Sequence, residues 1–131
     1  MTELLLDTHV AIWWMEGSER LGSRCKATLF QPGLRLWIST ASVWEMAIKS
    51  GLGRLKLSTT LDECLPDLLA QGAHCLPITL NHALAIRTLP PYHADFFDRM
   101  LIAQAHCENL ILVTADSLIR AYDVRTLDAE A

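Results

Sequence analysis

Four acidic residues of this sequence stand where carboxylates can collect into one site. Asp7 follows the apolar run 4–6, and Asp116 follows a second apolar run, 110–113. Glu45 and Asp98 lie in the first turns of segments with helical character. If the apolar runs are parallel strands, strand ends and helix starts share one edge of the sheet, where open α/β folds bind ligands. The pattern predicts one site that contains all four acids.

Such a group of carboxylates favours metal-assisted chemistry. Four acids brought together repel one another, and some take up protons unless a cation neutralises them. Mg²⁺ and Mn²⁺ prefer oxygen ligands, and such ions can activate water and offset charge on a phosphodiester. We therefore predict a nuclease that uses Mg²⁺, with Mn²⁺ able to replace it. Phosphate contacts are predicted from the nearby bases Lys49, Arg54, Lys56 and Arg99.

Each acid also fits a purely structural role. Asp7 and Asp116 are good helix N-caps, and the segment 42–45 has the Ser-x-x-Glu pattern of a capping box. Glu45 fits an ion pair with the lysine one turn later. Asp98 suits a first helical turn, where the helix dipole favours an acid. A structural role is the commoner one for each residue alone, but four such residues at one sheet edge favour a functional site.

Short apolar segments alternate with helical segments along the chain. Strands are predicted over residues 3–6, 36–38, 75–78 and 110–113, with a weaker one at 124–127. Helices are predicted over residues 9–15, 19–30, 41–50, 61–70, 80–88, 95–107 and 117–122. The strands lack clean alternation, as expected for a parallel sheet buried on both faces. This order predicts a single α/β domain over residues 1–131.

The bulk properties are those of an ordinary globular protein. The chain has 131 residues, 51% hydrophobic and 20% charged, which fits one domain with its own core. Its apolar runs are far shorter than the roughly 20 residues that cross a bilayer, and its start lacks a signal-peptide pattern. We expect a cytoplasmic protein. A net charge of −4 is unusual for a nucleic-acid binder, but metal would neutralise the acids of the site.

The four cysteines favour thiols over metal ligands. They form no C-x-x-C motif, and we expect reduced, mostly buried thiols in a chain able to build a core. The pairs His74-Cys75 and His106-Cys107 suggest zinc only weakly, because adjacent residues point in different directions and each pair offers one ligand.

Four tryptophans invite a role in stacking the bases of a single strand. We predict a structural role instead, because Trp37 lies in a strand and Trp44 shares a helix face with Ile48. Trp13 and Trp14 are adjacent and cannot both face the core, so one of them is expected at a protein interface.

At the acidic positions the sequence resembles the PIN-domain family, and within it the VapC-type toxins of bacterial toxin–antitoxin pairs. The matching stretches are Leu-Leu-Leu-Asp-Thr-His at 4–9, Ser-Thr-Ala-Ser-Val-Trp-Glu at 39–45, the segment 89–105 with Asp-Phe-Phe-Asp-Arg, and Leu-Val-Thr-Ala-Asp at 112–116. The resemblance extends over nearly the whole chain, with these stretches in order and suitably spaced, and the third is very specific. Phe96 is a departure, because the family commonly has proline there, a residue suited to the first helical position.

The resemblance implies a three-layer α/β/α fold with a five-stranded parallel sheet. It implies Mg²⁺- or Mn²⁺-dependent endonucleolytic cleavage of RNA, a VapB-type antitoxin that blocks the site, and frequent homodimerisation. Asp7, Glu45, Asp98 and Asp116 fall at the family's acidic positions. Two alternatives are a PIN-like binding protein without activity and a receiver-type signalling domain. The second is disfavoured because no Asp follows the third predicted strand.

Further residues near the acids have supporting roles in this prediction. Thr114 and Thr8 carry hydroxyls that reach either a carboxylate or the backbone. Asp95 is predicted chiefly as a helix cap, and Arg99 as the partner of a nearby acid. His93 is predicted to hold its loop in place, with contact to a substrate phosphate as the alternative.

Overall fold

The sheet begins with the apolar run at the start of the chain. In the computed structural model, which describes residues 2–131, the strands are β1 Thr2–Leu6, β2 Leu34–Ser39, β3 Ala73–Leu76, β4 Ile111–Thr114 and β5 Thr126–Asp128. They form one parallel sheet in the order β3-β2-β1-β4-β5. The predicted five-stranded parallel sheet is confirmed, although β3 lies earlier than the predicted segment 75–78.

Within residues 2–131 the α-helices are α1 Thr8–Glu16, α2 Ser23–Leu29, α3 Thr40–Gly51, α4 Leu61–Ala70, α5 Leu80–Ala85, α6 Phe96–Glu108 and α7 Ser117–Arg120. The helix predicted over 19–30 is shorter, because the chain turns before Gly22, which lies against the backbone of Ala131 with no room for a side chain. The helix predicted over 80–88 continues beyond α5 only as the 3₁₀ turn Ile86–Thr88. In this part of the chain, no helix is both long and apolar enough to span a membrane.

The two faces of the sheet bury separate apolar clusters. Successive side chains of β1 point to opposite faces: Leu4 and Leu6 pack with α1, α2 and α4, whereas Leu5 packs with α6 and α7. These three leucines are at most 1% exposed. Burial on both faces explains the unbroken apolar run, and it confirms the three-layer α/β/α arrangement.

The strands are all parallel, but the direction in which the chain adds them to the sheet reverses at the central strand β1. From β1 the chain builds β2 and β3 on one side and later returns to place β4 and β5 on the other. The carboxyl ends of β1 and β4 therefore lie side by side, and the backbone N–H of Asp7 donates to Val113 O at 3.0 Å. Such a reversal opens a crevice beyond the strand ends, which is where ligands bind in open α/β sheets.

All four cysteines are free. Cys25 and Cys64 are buried, whereas Cys75 and Cys107 are exposed, so burial holds for only two of the four. Each of the two His-Cys pairs thus has its thiol at the surface.

Candidate metal centre

Asp7 stands at the start of α1 without capping the helix. It occupies the N-cap position, but its side chain accepts no bond from the first turn. Its Oδ2 accepts a hydrogen bond of 2.7 Å from Thr114 Oγ1, and its Oδ1 is buried without a partner among residues 2–131. Burial raises the pKa of Asp7 above its ordinary value despite the bond from Thr114. The capping role offered by the sequence is therefore not used.

Glu45 does not form the capping box that its sequence pattern suggested, although it does form the expected ion pair with Lys49. The cap of α3 is Ser39, whose hydroxyl accepts from Ala41 N at 3.0 Å, so the capping box expected over 42–45 is wrong. Glu45 is only 3% exposed. Its Oε2 pairs with Lys49 Nζ at 2.6 Å, while Oε1 is buried and has no partner among residues 2–131.

The helix α6 presents Asp98 because a different acid caps it. Asp95 Oδ1 accepts from Phe97 N at 2.8 Å and from Asp98 N at 3.1 Å, which is the capping role predicted for Asp95. The Asp98 side chain is buried, and this burial together with the charges of Asp7 and Asp95 raises the pKa of Asp98 to about 7. Glu45 adds to that rise. Three of the predicted acids therefore influence one another electrostatically.

Asp116 completes the group from the far side of the sheet reversal. Its Oδ1 caps α7 by accepting from Leu118 N at 2.9 Å. Its Oδ2 lies 2.8 Å from His93 Nε2, and the same nitrogen lies 3.0 Å from Asp98 Oδ2. Burial alone would raise the pKa of Asp116, but the hydrogen bonds from His93 and Leu118 outweigh it and lower the pKa.

His93 is the residue whose place was not foreseen from the sequence. Its Nδ1 holds the loop as expected, by accepting from the backbone N–H of Asp95 at 3.1 Å, but its Nε2 also lies between two of the four acids. Burial lowers the pKa of His93, yet the hydrogen bond with Asp116 and the neighbouring carboxylates raise it overall. The sequence gives no periodic pattern in a loop from which the orientation of the His93 side chain could be predicted. Its position inside the specific segment 89–105 is the one sequence feature that links it to the acids.

The two threonines connect the elements that carry the acids. Thr114 donates to Asp7, and its oxygen also accepts from the backbone N–H of Asp116 at 3.0 Å. Thr8 Oγ1 donates to Ser42 Oγ at 2.8 Å, which joins α1 to α3 one turn before Glu45. Both hydroxyls are buried, so these bonds hold the strand ends and helix starts in register.

Arg99 does not pair with a carboxylate, so that expectation is wrong. Among residues 2–131, its guanidinium donates to backbone carbonyls of the preceding loop, including Pro90 O at 2.9 Å, and to Tyr122 Oη at 3.3 Å. The loop turns around α6 and exposes carbonyl groups that a planar guanidinium can bridge. Arg99 thus supports the segment that carries His93.

The residues present fit a divalent cation. Asp7 Oδ1 and Glu45 Oε1 are buried carboxylate oxygens without donors among the described residues, and such oxygens are costly to leave unpaired. The group that comes closest together, His93, Asp98 and Asp116, has potential ligand atoms within 4.8 Å of one another. Hard oxygen donors dominate this set, which suits Mg²⁺ or Mn²⁺ better than zinc.

A cleft of about 210 Å³ opens beside the acids. Its lining includes Asp7, Asp116, His9, Trp13 and Arg20. The Arg20 guanidinium lies 4.4 Å from the centre of the Trp13 ring, so it stacks on the aromatic face while remaining exposed. Arg20 was not among the bases singled out from the sequence, because it lies far from the acids along the chain.

The structural role predicted for Trp44 is only partly correct. Trp44 is 54% exposed and Ile48 is 41% exposed, so the shared face of α3 is turned toward solvent. The ring of Trp44 packs edge-on against Phe97 at a centroid distance of 5.0 Å. Amphipathic spacing identified the face correctly, but the buried face of α3 is the one that carries Glu45 and Met46.

Comparisons with known proteins agree with this architecture. The model of the PIN-domain family matches residues 4–125, so this chain belongs to the PIN-domain family. Ribonuclease VapC22 from Mycobacterium tuberculosis (strain ATCC 25618 / H37Rv) is 30% identical to it over 123 residues, 93% of each chain.

Solved structures give the same result at the level of the fold. VapBC2 from Rickettsia felis, bound to a DNA fragment from its promoter, aligns with a TM-score of 0.71 at 12% identity and covers 96% of this chain and 98% of that one. A toxin–antitoxin complex from Klebsiella pneumoniae aligns with a TM-score of 0.63 at 17% identity, covering 96% and 97%.

Proposed function

We propose that this chain is a metal-dependent endoribonuclease of the VapC type, the toxin of a toxin–antitoxin pair. The observation that carries the proposal is the pair of buried, unpartnered oxygens on Asp7 and Glu45, beside Asp98 and Asp116. The fold is that of the PIN-domain family, and the related Ribonuclease VapC22 carries the activity in its name. The cleft lined by Asp7 and Asp116 offers a place beside these acids for a substrate phosphate.

The four carboxylates hold the cation, with Mg²⁺ as the expected ion and Mn²⁺ as a substitute. The chemistry that such an ion supplies is the activation of water and the neutralisation of charge on the phosphodiester. Asp7 and Glu45 each offer an oxygen that nothing else in residues 2–131 satisfies. Thr114 orients Asp7, Thr8 fixes α1 against α3, Asp95 caps the helix of Asp98, and Arg99 fixes the loop before it.

The substrate strand needs positive charge to balance its phosphates. Arg20 supports this proposal, because it is exposed in the cleft beside Asp7 and Asp116. Lys49 is the weaker candidate for a phosphate contact, because its ammonium group is paired with Glu45. It would become free for phosphate only when a metal ion replaces it beside Glu45. An Arg20→Gln variant should raise the KM for RNA several-fold with little change in kcat, which steady-state cleavage rates can measure.

The protein partners we propose are a VapB-type antitoxin and a second copy of the chain, in the cytoplasm. The likeness to toxin–antitoxin structures supports the first. Exposed apolar residues on α3 and just after its end offer a surface that either partner could cover: Trp44 and Ile48 on the helix, and Leu52 beyond it. Light scattering of the purified chain, with and without Trp44→Ala, tests whether this face forms a dimer.

Cleavage of a mixed structured RNA by purified, antitoxin-free protein tests the activity. The assay compares Mg²⁺ or Mn²⁺ with EDTA, and the wild type with Asp98→Asn. Asp67→Asn is the matched control, because Asp67 is an exposed aspartate on α4. We expect metal-dependent cleavage that Asp98→Asn abolishes and Asp67→Asn leaves unchanged.

The other outcomes have distinct meanings. Equal inactivity of all three proteins on total RNA and on shorter structured RNAs would favour a binding protein without activity. Cleavage that persists in EDTA, or in Asp98→Asn, would contradict the carboxylate mechanism itself.

A further inference from the structure

The position of His93 permits two opposite roles. Its Nε2 lies 2.8 Å from Asp116 Oδ2 and 3.0 Å from Asp98 Oδ2, inside a group whose spacing suits a metal ion. An unprotonated Nε2 would be a metal ligand. A protonated Nε2 would be a hydrogen-bond donor that orients carboxylates from outside the coordination sphere.

The other ring nitrogen decides between these roles. The backbone N–H of Asp95 donates to His93 Nδ1 at 3.1 Å, and a backbone N–H is always a donor. Nδ1 must therefore offer a lone pair, which places the ring proton of neutral His93 on Nε2. A ring protonated on both nitrogens would lose the bond from Asp95 but would still carry a proton on Nε2. In both cases Nε2 faces the two carboxylates as a donor.

The loop that carries His93 is fixed independently of any metal. The backbone N–H of His93 donates to Tyr122 Oη at 2.9 Å, and that hydroxyl donates to Pro90 O at 2.6 Å. Arg99 donates to the same carbonyl and the same hydroxyl. Only 10% of the His93 side chain is exposed in this arrangement. The ring is thus held in one orientation, with Nε2 directed at the two carboxylates.

The consequence for Asp116 is that both of its oxygens are held. Leu118 N–H binds Oδ1 and His93 binds Oδ2, so this carboxylate has one fixed orientation at the end of β4. Asp98, which lies beside the same nitrogen, is a buried acid on a different element. A single donor between them holds two acids of the site at a short separation that their charges oppose.

We propose that His93 is a positioning residue of the metal centre: its Nε2–H holds Asp116 beside Asp98, and the ring does not coordinate the ion. This inference rests on the proposed carboxylate metal site. It assigns the role to a donor, in contrast to the ligand role that the cluster geometry alone would suggest. Removing the donor should weaken metal binding about 10-fold, the usual cost of losing a group that orients a ligand.

The first test examines the proton itself in the full-length protein. Two-bond ¹H–¹⁵N correlation spectra of the imidazole rings, assigned by comparison with His93→Gln, distinguish protonated from unprotonated ring nitrogens. We expect His93 to carry a proton on Nε2 without metal and to keep it when Mg²⁺ is added. A ring protonated only on Nδ1 in either state would overturn the proposal.

The second test measures coordination with Mn²⁺ as the probe. Electron spin echo envelope modulation of bound Mn²⁺ detects a directly coordinated nitrogen, and we expect no such coupling from the wild type. Calorimetric Mn²⁺ affinity should fall about 10-fold in His93→Ala and return to within about 3-fold of wild type in His93→Gln, whose amide can donate from the Nε2 position. His106→Ala, an exposed histidine on α6, is the control and should change nothing.

These readouts separate the possible failures. A nitrogen coupling that disappears in His93→Gln would identify His93 as a ligand and refute the positioning role. Equal Mn²⁺ affinity in His93→Ala and wild type would also refute it, with both proteins confirmed as folded by circular dichroism. If wild type bound no Mn²⁺ at all, the metal site would fall, and the role of His93 in it would fall too, even with the proton on Nε2.

Discussion

Asp7 and Asp116 have the same setting in the sequence and opposite environments in the structure. Each follows a buried strand and opens a helix, and the two strands are neighbours in the sheet. Asp7 is 3% exposed, does not cap α1 and keeps one oxygen without a donor among residues 2–131. Asp116 has 33% of its side chain exposed, caps α7 and has donors on both oxygens.

The two carboxylates differ in how well the protein stabilises their ionised form. Asp116 is stabilised as an anion by the protein itself, and its pKa is lowered by His93 and Leu118 in spite of burial. Asp7 is destabilised as an anion by burial, and its pKa is raised. A bound cation should therefore offset more unfavourable charge burial at Asp7 than at Asp116.

Replacing Asp7 should have the largest effect. Asp7→Asn removes a carboxylate whose free oxygen has no substitute, so we expect RNA cleavage to fall by a factor on the order of 100 or more. The metal-free variant should be at least as stable as wild type, because a neutral amide suits the buried position better. Cleavage rates and thermal melts in EDTA measure both effects. Unchanged cleavage would exclude Asp7 from the site.

The pH dependence of stability should come next. In the metal-free folded protein the pKa of Asp98 is about 7, whereas in the unfolded chain the pKa of this carboxyl is near the ordinary value of 3.8. The folded state binds more protons between these values, so its stability should fall by roughly 3 kcal/mol as the pH rises from about 4 to about 7. Asp116 acts in the opposite sense, and its contribution disappears only as the pH falls below 3.8.

Urea unfolding in EDTA at several pH values measures this slope. Asp98→Asn should flatten the slope, and saturating Mg²⁺ should reverse it by favouring the ionised acids. A metal-free stability that increased steadily from pH 4 to pH 7 would mean that the buried acids are already neutralised by another group.

Thr114 links the two aspartates, and its removal should have an intermediate effect. Thr114→Val keeps the shape of the side chain but removes the donor to Asp7 and the acceptor for Asp116 N–H. Leaving these buried groups unpaired should cost about 2 kcal/mol of unfolding free energy. Thr114→Ser retains the hydroxyl and serves as the control in denaturant unfolding. Equal stability of Val and wild type would show that water replaces the hydroxyl.

The smallest effect should be the loss of the cap on the β4 side. Asp116→Ala removes the acceptor for Leu118 N–H and should cost about 1 kcal/mol, whereas Asp116→Asn keeps a good cap and should cost less than half of that. Asp7→Ala should show no such capping loss, because Asp7 does not cap α1. Thermal melts of the three variants compare the two strand ends directly, and a capping loss at Asp7 would remove the contrast.

The sheet and its acids were accessible from the sequence because their signals are local. Unbroken apolar runs such as 110–113 identify strands buried on both faces, and an acid after a strand has a fixed place at the sheet edge. The resemblance to the PIN-domain family rested on the same segments. Helix ends were less accurate where distant contacts set them, as at Gly22, which is packed against the backbone of Ala131.

The contacts around the acids were harder to predict from the sequence, because they depend on the orientation of each side chain and not only on its position along the chain. Sequence spacing placed Glu45 in a capping box, but Ser39 begins the helix earlier, and Glu45 instead pairs with Lys49 through one of its oxygens. Arg99 was expected beside an acid and binds loop carbonyls, whereas His93 holds its loop through Nδ1 as expected but also faces two acids through Nε2. Which way a loop side chain turns is decided by tertiary contacts that have no sequence period.

The reversal at β1 also sets a condition on when the centre can come into being during synthesis. Thr114 binds an aspartate 107 residues earlier, and Asp116 follows it from β4. A growing chain exposes Asp7 long before β4, the strand that must lie beside it, and such distant pairing is slow to form. The four acids therefore cannot come together in a nascent chain until β4 has been made and has paired with β1.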